Sequence, residues 1–420
     1  MRESAAGGPL RVVIDARLRD GEPGGVQQIV IGLASGLSRL PDPRHEEYLF
    51  ATWRNQSAWL QPFLRDPCKM IEIRASRTRA VGRWVRNALA AAGALGALPS
   101  SPVRVAARDQ AVEALQADVI HFATQRAFLT GTPNIYQPHD LQHVHLPQFF
   151  SEAARESRDR VYRTYCTHAS TVVVMSQWGW RDIVSHFGLL PSKVAVVPWA
   201  PMLPEYAPPD GPAIAATRRK YSLPPRFAYF PAHTFPHKNH LGLLAALARL
   251  RDRSGLVVPL VCSGRRNEFH RVIRRRVREL GLDTQVRFLG FVSPQEVNVL
   301  YRACHAVLFP TLFEGWGLPV SEACVAGVPI ACSRVTCLPE QADGAAVLFD
   351  PADQDDIARA VAEVWCDEGV RARLVARGRE VARRLSWDRT AEMFRAHYRK
   401  LAGRPLSARD ADLLEAAPIC

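Results

Sequence analysis

The most informative stretch of this chain runs Glu314-Gly315-Trp316-Gly317-Leu318-Pro319-Val320-Ser321-Glu322. An apolar run at residues 306–310 precedes it and predicts a buried parallel strand. The two glycines let the backbone approach a ligand without a Cβ in the way, and Pro319 suits the first turn of a helix. Because a helix start offers free backbone N–H groups and the positive end of a dipole, we expect a phosphate-binding seat at residues 315–318.

Two carboxylates, Glu314 and Glu322, flank this predicted seat. Neither would bind a phosphate, because both are anionic. Both can accept hydrogen bonds from hydroxyl groups on either side of the phosphate, and hydrogen bonds to ionised acceptors are strong. A phosphate between two polyols is the arrangement found in a nucleotide sugar. The alternative is a pair of ordinary carboxylates near a helix N-terminus, where the dipole favours them, and the pair alone does not choose between the two.

The composition indicates a globular protein with room for two domains, since the chain has 420 residues of which 47% are hydrophobic. Its nine cysteines form neither a Cys-x-x-Cys pair nor a zinc-site spacing, which indicates reduced thiols. The N-terminus lacks a signal-peptide pattern, and no apolar run reaches the roughly 18–20 residues of a membrane-spanning helix. We therefore expect a cytoplasmic protein with no metal site of the cysteine type.

The net charge of +13 is compatible with nucleic acid, an anionic membrane surface or an acidic small substrate as partner. No nucleic-acid-binding module accompanies the charge, so we expect no nucleic-acid partner. Residues 74–98 carry a basic segment. It predicts a surface that contacts anionic lipid or a lipid-diphosphate acceptor, and the alternative is a solvated helix or a mobile loop. Its arginines are Arg74, Arg77, Arg79, Arg83 and Arg86.

Short apolar runs separated by helix-like segments predict two consecutive β/α series. The first begins at residues 10–15 and the second at residues 227–230, and a proline-rich segment at residues 201–212 lies between them. This order is typical of two doubly wound Rossmann-like domains joined by a linker. The first strand is not followed by G-x-G-x-x-G, which argues against a dinucleotide-dependent enzyme.

Four other residues, at three places in the chain, are candidates for a ligand site. Gly24 and Gly25 stand between the first strand and a helix, as a phosphate loop or a plain turn would. His139 follows a strand, and ligands of open α/β sheets bind beyond the carboxyl ends of strands. Lys238 lies at a junction between a loop and a helix, which suits either a diphosphate ligand or a surface lysine.

The stretch from Glu314 to Glu322 resembles the E-x7-E signature of retaining glycosyltransferases of family 4, which have the GT-B fold. The resemblance continues through residues 338–340 and 346–351, reaches upstream through residues 286–292, and covers nearly the whole chain. It implies two Rossmann-like domains facing a cleft and a C-terminal helix that crosses back to the first domain. Where the family commonly has an arginine, this chain has His233, five positions before Lys238.

The resemblance also implies roles for individual residues. Lys238 would bind the donor phosphates, Glu314 the donor sugar and Glu322 the ribose. His139 would face the donor sugar, so that His139, Glu314 and Lys238 form the catalytic set. The donor-binding residues would be Gly24, Gly25, His233, Lys238, Phe291, Val292, Glu314, Gly315, Trp316, Gly317, Leu318 and Glu322. Arg265 or Arg266 would compensate for the missing arginine.

These observations predict a retaining, metal-independent and cofactor-free transfer of a hexosyl group from a nucleoside diphosphate sugar. The acceptor would be a glycan or lipid-linked glycan of a bacterial surface polysaccharide. The His-Lys-Asn sequence at residues 237–239 resembles that of enzymes acting on mannose and related sugars, a resemblance that implies GDP-mannose as the favoured donor. The alternative is a non-catalytic protein that binds nucleotide sugar or serves as a scaffold. The expected domains are residues 1–205 for the acceptor, 206–385 for the donor, a crossover helix at 386–402 and a loosely ordered tail at 403–420.

Overall fold

The computed structural model describes residues 8–19, 25–41, 45–74 and 105–415. These residues form two units. Unit 1 contains the described residues up to Val174, the segment Trp180–Val197 and the described residues from Trp387 onward. Unit 2 contains Met175–Gly179 and Pro198–Ser386. Gly24 and nearly all of the basic segment at residues 74–98 lie outside the described residues.

The sheet of unit 1 is built from short strands whose residues are mostly buried, except in the third strand, where only the two end residues are buried. In chain order the strands are β1 Leu10–Asp15, β2 Glu46–Trp53, β3 Cys68–Ile73, β4 Val119–Phe122, β5 Asn134–Tyr136, β6 Thr171–Val174 and β7 Val194–Val196. Within the described residues all seven are parallel and lie in the order β3-β2-β1-β4-β5-β6-β7. The order reverses between β1 and β4, which creates a crevice at their carboxyl ends.

Helices connect these strands and cover the sheet, as parallel pairing requires. They are Gly25–Arg39, Gln110–Glu113, Gln142–His145, Glu152–His168, Gln177–Phe187, Trp387–Leu401 and Ala408–Glu415, with 3-10 turns at Gln61–Phe63, Pro147–Phe149 and Pro191–Lys193.

The helix Trp387–Leu401 packs against the helix Gly25–Arg39 of the same unit. Gly32 and Gly36 make room for it: a Cβ on Gly32 would lie 1.9 Å from Cε2 of Trp387, and a Cβ on Gly36 would lie 2.3 Å from the Trp387 carbonyl oxygen. The small residues therefore form the groove that holds the buried indole of Trp387.

The tail beyond residue 403 differs from the loosely ordered segment that we expected, because it contains the helix Ala408–Glu415. The buried carboxylate of Asp410 accepts a hydrogen bond from Arg399 at 2.8 Å, and Arg399 also pairs with Glu46 at 2.6 Å. Leu413 is buried. Charge pairing and apolar burial together order a segment whose polar composition suggested neither.

Unit 2 repeats the same design with a sheet of six parallel strands among the described residues. The strands are β8 Ala228–Pro231, β9 Leu260–Ser263, β10 Val286–Gly290, β11 Ala306–Phe309, β12 Ile330–Ser333 and β13 Ala346–Phe349. Their order is β10-β9-β8-β11-β12-β13, so the reversal falls between β8 and β11. The loops that follow these two strands therefore border the crevice where doubly wound sheets bind ligands.

The helices of unit 2 are Gly211–Lys220, His240–Ser254, His270–Glu279, Pro294–Ala303, Leu318–Ala326, Leu338–Ala342, Gln354–Cys366 and Glu368–Arg384, with 3-10 turns at Leu203–Glu205 and Pro236–Lys238. None of the helices within the described ranges has both the length and the apolar composition that crossing a bilayer requires.

Candidate active site

The loops after β8 and β11 are joined by backbone hydrogen bonds at the reversal of the unit 2 sheet. The carbonyl oxygen of His237 accepts a hydrogen bond from the N–H of Leu312 at 2.7 Å and one from the Thr311 hydroxyl at 3.2 Å. Because Lys238 follows His237 and Glu314 lies two residues after Leu312, this junction brings both side chains to the same place.

Lys238 and Glu314 form an ion pair in that place. Lys238 donates from Nζ to Oε1 of Glu314 over 2.6 Å, and the two side chains are 17% and 12% exposed. The ammonium also lies 5.6 Å from the centre of the Phe309 ring. A cation suited to a phosphate and a carboxylate suited to a hydroxyl are thus held together at the carboxyl ends of the two central strands.

The glycine-rich loop leads directly into the helix Leu318–Ala326, so the predicted helix start is present. Gly317 has a φ of 87°, a left-handed conformation that favours glycine, and a Cβ there would lie 2.4 Å from Cδ2 of Leu338. The Cys337 thiol donates to the Trp316 carbonyl oxygen at 3.1 Å, and the Trp316 indole N–H donates to the Trp199 carbonyl oxygen at 3.0 Å. The loop is therefore fixed by its neighbours on both sides.

Glu322 lies on this helix and is held by a buried tyrosine. The hydroxyl of Tyr301 donates to Oε2 of Glu322 at 2.6 Å, and Tyr301 itself is fully buried. Burial raises the pKa of Glu322 to about 7, although the hydrogen bond from Tyr301 opposes the rise. The carboxylate therefore changes its charge close to neutral pH.

His233 is held as a neutral ring beside the loop after β9. The backbone N–H of Arg265 donates to Nδ1 of His233 at 2.8 Å, so the proton of the neutral imidazole lies on Nε2. Burial, together with the charges of Lys238 and Arg265, lowers the pKa of His233. The position occupied by arginine in the resembled family thus supplies an N–H donor without a positive charge.

The two arginines expected to compensate for His233 have other contacts. The guanidinium of Arg265 lies 5.2 Å from the centre of the Phe291 ring, and Arg266 donates to the Phe288 carbonyl oxygen at 2.8 Å. Phe291 is 62% exposed, whereas Val292 is buried. An exposed aromatic ring with an arginine against it, just after β10, is suited to stacking on a planar base.

In unit 1, His139 lies beyond β5 in the left-handed region with a φ of 69°. Its Nε2 is 3.2 Å from the Ala123 carbonyl oxygen, and this hydrogen bond places the ring proton on Nε2 and the acceptor lone pair on Nδ1. Burial lowers the pKa of His139 to about 4. Gly25 begins the first helix of the same unit.

His121, on β4, is fully buried and engaged at both ring nitrogens. Its Nδ1 is 2.6 Å from the Tyr398 hydroxyl and its Nε2 is 2.8 Å from Oε1 of Gln137. These contacts give His121 a structural role, because they connect β4 to the helix Trp387–Leu401, which contains Tyr398.

The acidic residues of the described ranges do not form a metal site, since no group of three or more His, Cys, Asp or Glu side chains is placed to hold an ion there. Two Asp-x-Asp triplets occur, at residues 353–355 and 410–412. Asp353 caps a helix by accepting from the N–H groups of Asp355 and Asp356, and Asp410 accepts from Arg399 and Ser407. Both triplets thus have structural partners.

Sequence reasoning missed three residues that hold the carboxylates and the loop, namely Tyr301, Thr336 and Cys337. The Thr336 hydroxyl accepts from the Glu314 N–H at 3.4 Å, and Cys337 and Tyr301 make the contacts described above. Tyr301 is 21 residues from Glu322 along the chain, so no local spacing connects them. Only the packing of their two helices reveals the pair.

Two family comparisons match the two halves of the chain. Residues 23–200 match the family described as Glycosyltransferase Family 4, and residues 215–381 match the family described as Glycosyl transferases group 1. The division between the matches falls in the proline-rich segment at residues 201–212.

Curated relatives are glycosyltransferases by name. The chain is 29% identical over 267 residues to O-antigen chain mannosyltransferase B of Escherichia coli, which covers 61% of this chain and 70% of that protein. It is 30% identical over 240 residues to the D-inositol 3-phosphate glycosyltransferase of Corynebacterium glutamicum (strain R), 55% of this chain and 57% of that one. A serotype-specific mannosyltransferase of E. coli, WbdA, is 29% identical over 230 residues, but the aligned region spans 28% of its length.

Solved structures share the architecture at low sequence identity. HepE of Anabaena, in complex with UDP and glucose, superposes with a TM-score of 0.69 at 18% identity, covering 93% of this chain and 100% of that chain. WaaG, a glycosyltransferase involved in lipopolysaccharide biosynthesis, gives a TM-score of 0.62 at 17% identity over 93% and 100% of the two chains. These likenesses and the two parallel sheets confirm the expected GT-B fold. The chain belongs to the family 4 glycosyltransferases and is a hexosyltransferase.

Proposed function

We propose that this enzyme transfers a hexosyl group, with mannose as the favoured sugar, from a nucleoside diphosphate sugar to a glycan or lipid-linked glycan with retention of configuration and without a metal ion. The observation that supports this most is the ion pair between Lys238 and Glu314 at the reversal of the unit 2 sheet. It combines the two charges that a sugar diphosphate needs, one for its phosphates and one for its hydroxyls.

The phosphates of the donor would take Lys238 as their cation. They would also receive hydrogen bonds from the N–H groups at the start of the helix Leu318–Ala326 and from Nε2–H of His233. Glu314 would then exchange its ammonium partner for hydroxyl groups of the donor sugar. Glu322 would accept from the ribose, and the exposed ring of Phe291 would stack on the base.

In the reaction, the bond between the anomeric carbon and the phosphate oxygen breaks while the acceptor oxygen forms a bond on the same face. The acceptor hydroxyl gives its proton to the departing phosphate oxygen, so atoms and charge balance without a further reactant. Lys238 and the helix N–H groups stabilise the charge that develops on the leaving diphosphate. His139, as a neutral ring, would contact the donor sugar.

The preference for mannose and for GDP is supported by relatives named as mannosyltransferases and by the His-Lys-Asn sequence at residues 237–239. The same relatives support an acceptor that belongs to a bacterial surface polysaccharide. A lipid-linked acceptor would bring the enzyme to the cytoplasmic face of a membrane, so contact with anionic lipid is part of the proposal.

The test is a thermal-shift and turnover series on the full chain with GDP, UDP and their sugars, each with and without EDTA. A ligand that binds only the folded state stabilises it by about 2.7 kcal/mol at a hundredfold its Kd. We expect a shift with one diphosphate family that EDTA leaves unchanged, and transfer whose product NMR shows the anomeric configuration of the donor. Loss of turnover in EDTA would contradict the metal-free site, and inverted product would contradict retention. Binding without turnover on any glycan acceptor would favour the non-catalytic alternative.

A further inference from the structure

Tyr301 lies in the last turn of its helix, where its side chain is fully buried and yet its hydroxyl is bonded to an ionisable group. It lies on the helix Pro294–Ala303, which covers the sheet of unit 2. Among the residues that the structure describes, the hydroxyl of Tyr301 has one hydrogen bond, which it donates to Oε2 of Glu322 over 2.6 Å. A buried phenol that bonds a carboxylate fixes that carboxylate's position and leaves its second oxygen for another partner.

The ring of Tyr301 is itself held in one position. It packs edge-on against Tyr229 of the central strand β8, with 5.1 Å between ring centres and 88° between planes. The Tyr229 hydroxyl is 2.6 Å from Oγ of Ser263, at the end of β9. Two buried tyrosines thus link the central strands of the sheet to Glu322. Of the two, only Tyr301 contacts the carboxylate.

The carboxylate of Glu322 has no other hydrogen-bond partner among the residues that the structure describes. Its Oε1 is not one of the fully buried atoms that lack a partner, so this oxygen keeps some contact with solvent. The Tyr301 bond therefore restricts rotation of the carboxylate while Oε1 remains available. A carboxylate that has one oxygen anchored can align the other with a pair of neighbouring hydroxyl groups at little further cost in conformational entropy. This is the arrangement needed to distinguish a ribose from a deoxyribose.

We propose that Tyr301 is a positioning residue that orients Glu322 for the ribose hydroxyls of the donor and so sets the preference of the enzyme for ribonucleotides over deoxyribonucleotides. The inference rests on the proposed role of Glu322 in donor binding. It assigns to Tyr301 no contact with the substrate and no part in bond breaking, so its loss should act on donor affinity more than on turnover.

The experiment measures, by titration calorimetry on the full chain, the Kd of GDP and of its 2′-deoxy and 3′-deoxy forms, or of the UDP series if uridine proves to be the base. The variants are Tyr301→Phe, Glu322→Gln and Tyr229→Phe. Tyr229→Phe is the matched control, because it removes an equally buried hydroxyl one ring away that does not contact Glu322. Thermal unfolding of each variant checks that it folds. We expect the two Tyr→Phe variants to fold, because phenylalanine retains the packing of the ring.

We expect Tyr301→Phe to weaken binding of the ribonucleotide about tenfold and binding of the deoxy forms much less. The ratio of ribonucleotide to deoxyribonucleotide affinity should therefore fall toward the ratio of the Glu322→Gln variant. The donor KM should rise with little change in kcat. Tyr229→Phe should have the same ratio of ribonucleotide to deoxyribonucleotide affinity as the unaltered chain. A purely structural role would instead lower stability and leave the ratio of ribo to deoxy affinity unchanged.

Two outcomes would overturn the inference, and they differ in what they leave standing. If Glu322→Gln removes the preference but Tyr301→Phe keeps it, Tyr301 does not position the carboxylate and the proposed donor site stands. If Glu322→Gln itself keeps the preference, Glu322 does not bind the ribose, and both the inference and that part of the proposed function fail.

Discussion

Lys238 and Glu314 are 76 residues apart in the chain, yet Nζ and Oε1 lie 2.6 Å from each other at the carboxyl ends of the two central strands of the unit 2 sheet. Each charge neutralises the other, so a donor that needs both must separate them. The pair therefore makes the two residues respond in opposite ways to substitution.

Glu314→Gln should tighten binding of the free nucleoside diphosphate by about two- to tenfold, because Lys238 loses its competing partner. The same change should lower turnover about a hundredfold, since the donor sugar loses a charged acceptor. Lys238→Met should weaken binding of the nucleoside diphosphate and also lower turnover. Calorimetry with the diphosphate and a transfer assay measure the two effects; weaker diphosphate binding by Glu314→Gln would show that the carboxylate assists rather than competes with the phosphates.

Donor binding should depend on pH through Glu322. Burial raises the pKa of this carboxyl to about 7, so it is protonated and a poorer acceptor below that pH and ionised above it. Affinity for the nucleoside diphosphate should therefore fall as pH falls, by about tenfold between pH 8 and pH 6 if only the ionised form binds. Glu322→Gln is the control, because it keeps the titration of the phosphate and removes that of the carboxylate; equal profiles for both proteins would contradict the prediction.

Gly317→Ala should damage the loop more than Gly327→Ala. Both glycines have a positive φ, of 87° and 69°, and an alanine there costs about 1–3 kcal/mol of backbone strain. Only at Gly317 would the new Cβ also meet a neighbour, 2.4 Å from Leu338 Cδ2, whereas at Gly327 nothing lies within 4 Å. Thermal unfolding and diphosphate binding should both be impaired in Gly317→Ala, and binding should persist in Gly327→Ala. Equal binding by both variants would separate the loop from the donor site.

His139→Ala should lower turnover about a hundredfold and leave the Kd of the nucleoside diphosphate unchanged, because the proposed contact is with the sugar. His168→Ala is the control: it is an exposed histidine of the same unit whose Nδ1 bonds a backbone carbonyl of its own helix. Steady-state kinetics with the preferred donor measures the effect. Unchanged turnover would remove His139 from the catalytic set.

Gly36→Ala should destabilise the enzyme although alanine is the better helix former by about 1 kcal/mol. The new Cβ would lie 2.3 Å from the carbonyl oxygen of Trp387, which is backbone and cannot rotate away, so overpacking of about 1–3 kcal/mol outweighs the gain. Gly211→Ala, also in a helix but with nothing within 4 Å, is the control and should be neutral or stabilising. A stable Gly36→Ala protein would mean that the helix Trp387–Leu401 can shift from the groove formed by Gly32 and Gly36.

Much of the fold was predictable because local patterns determine local structure. The apolar runs marked the strands, and the two consecutive β/α series predicted two parallel sheets, which the structure has. The glycines and Pro319 marked the start of the helix Leu318–Ala326. The helix at Ala408–Glu415 was missed because its order depends on Arg399 and Leu413 finding partners elsewhere in the unit.

The chemistry of the site was predictable only as residue types. The sequence by itself determined which side chains could serve a sugar diphosphate, since Glu314, Glu322, Lys238 and a glycine-rich helix start occur in a recognisable order. It could not determine their charge states or partners, because these depend on burial and on contacts between residues far apart in the chain. The tertiary structure alone pairs Lys238 with Glu314, makes His233 a neutral donor through the Arg265 N–H, and sets Glu322 against a buried tyrosine that raises no signal in the sequence.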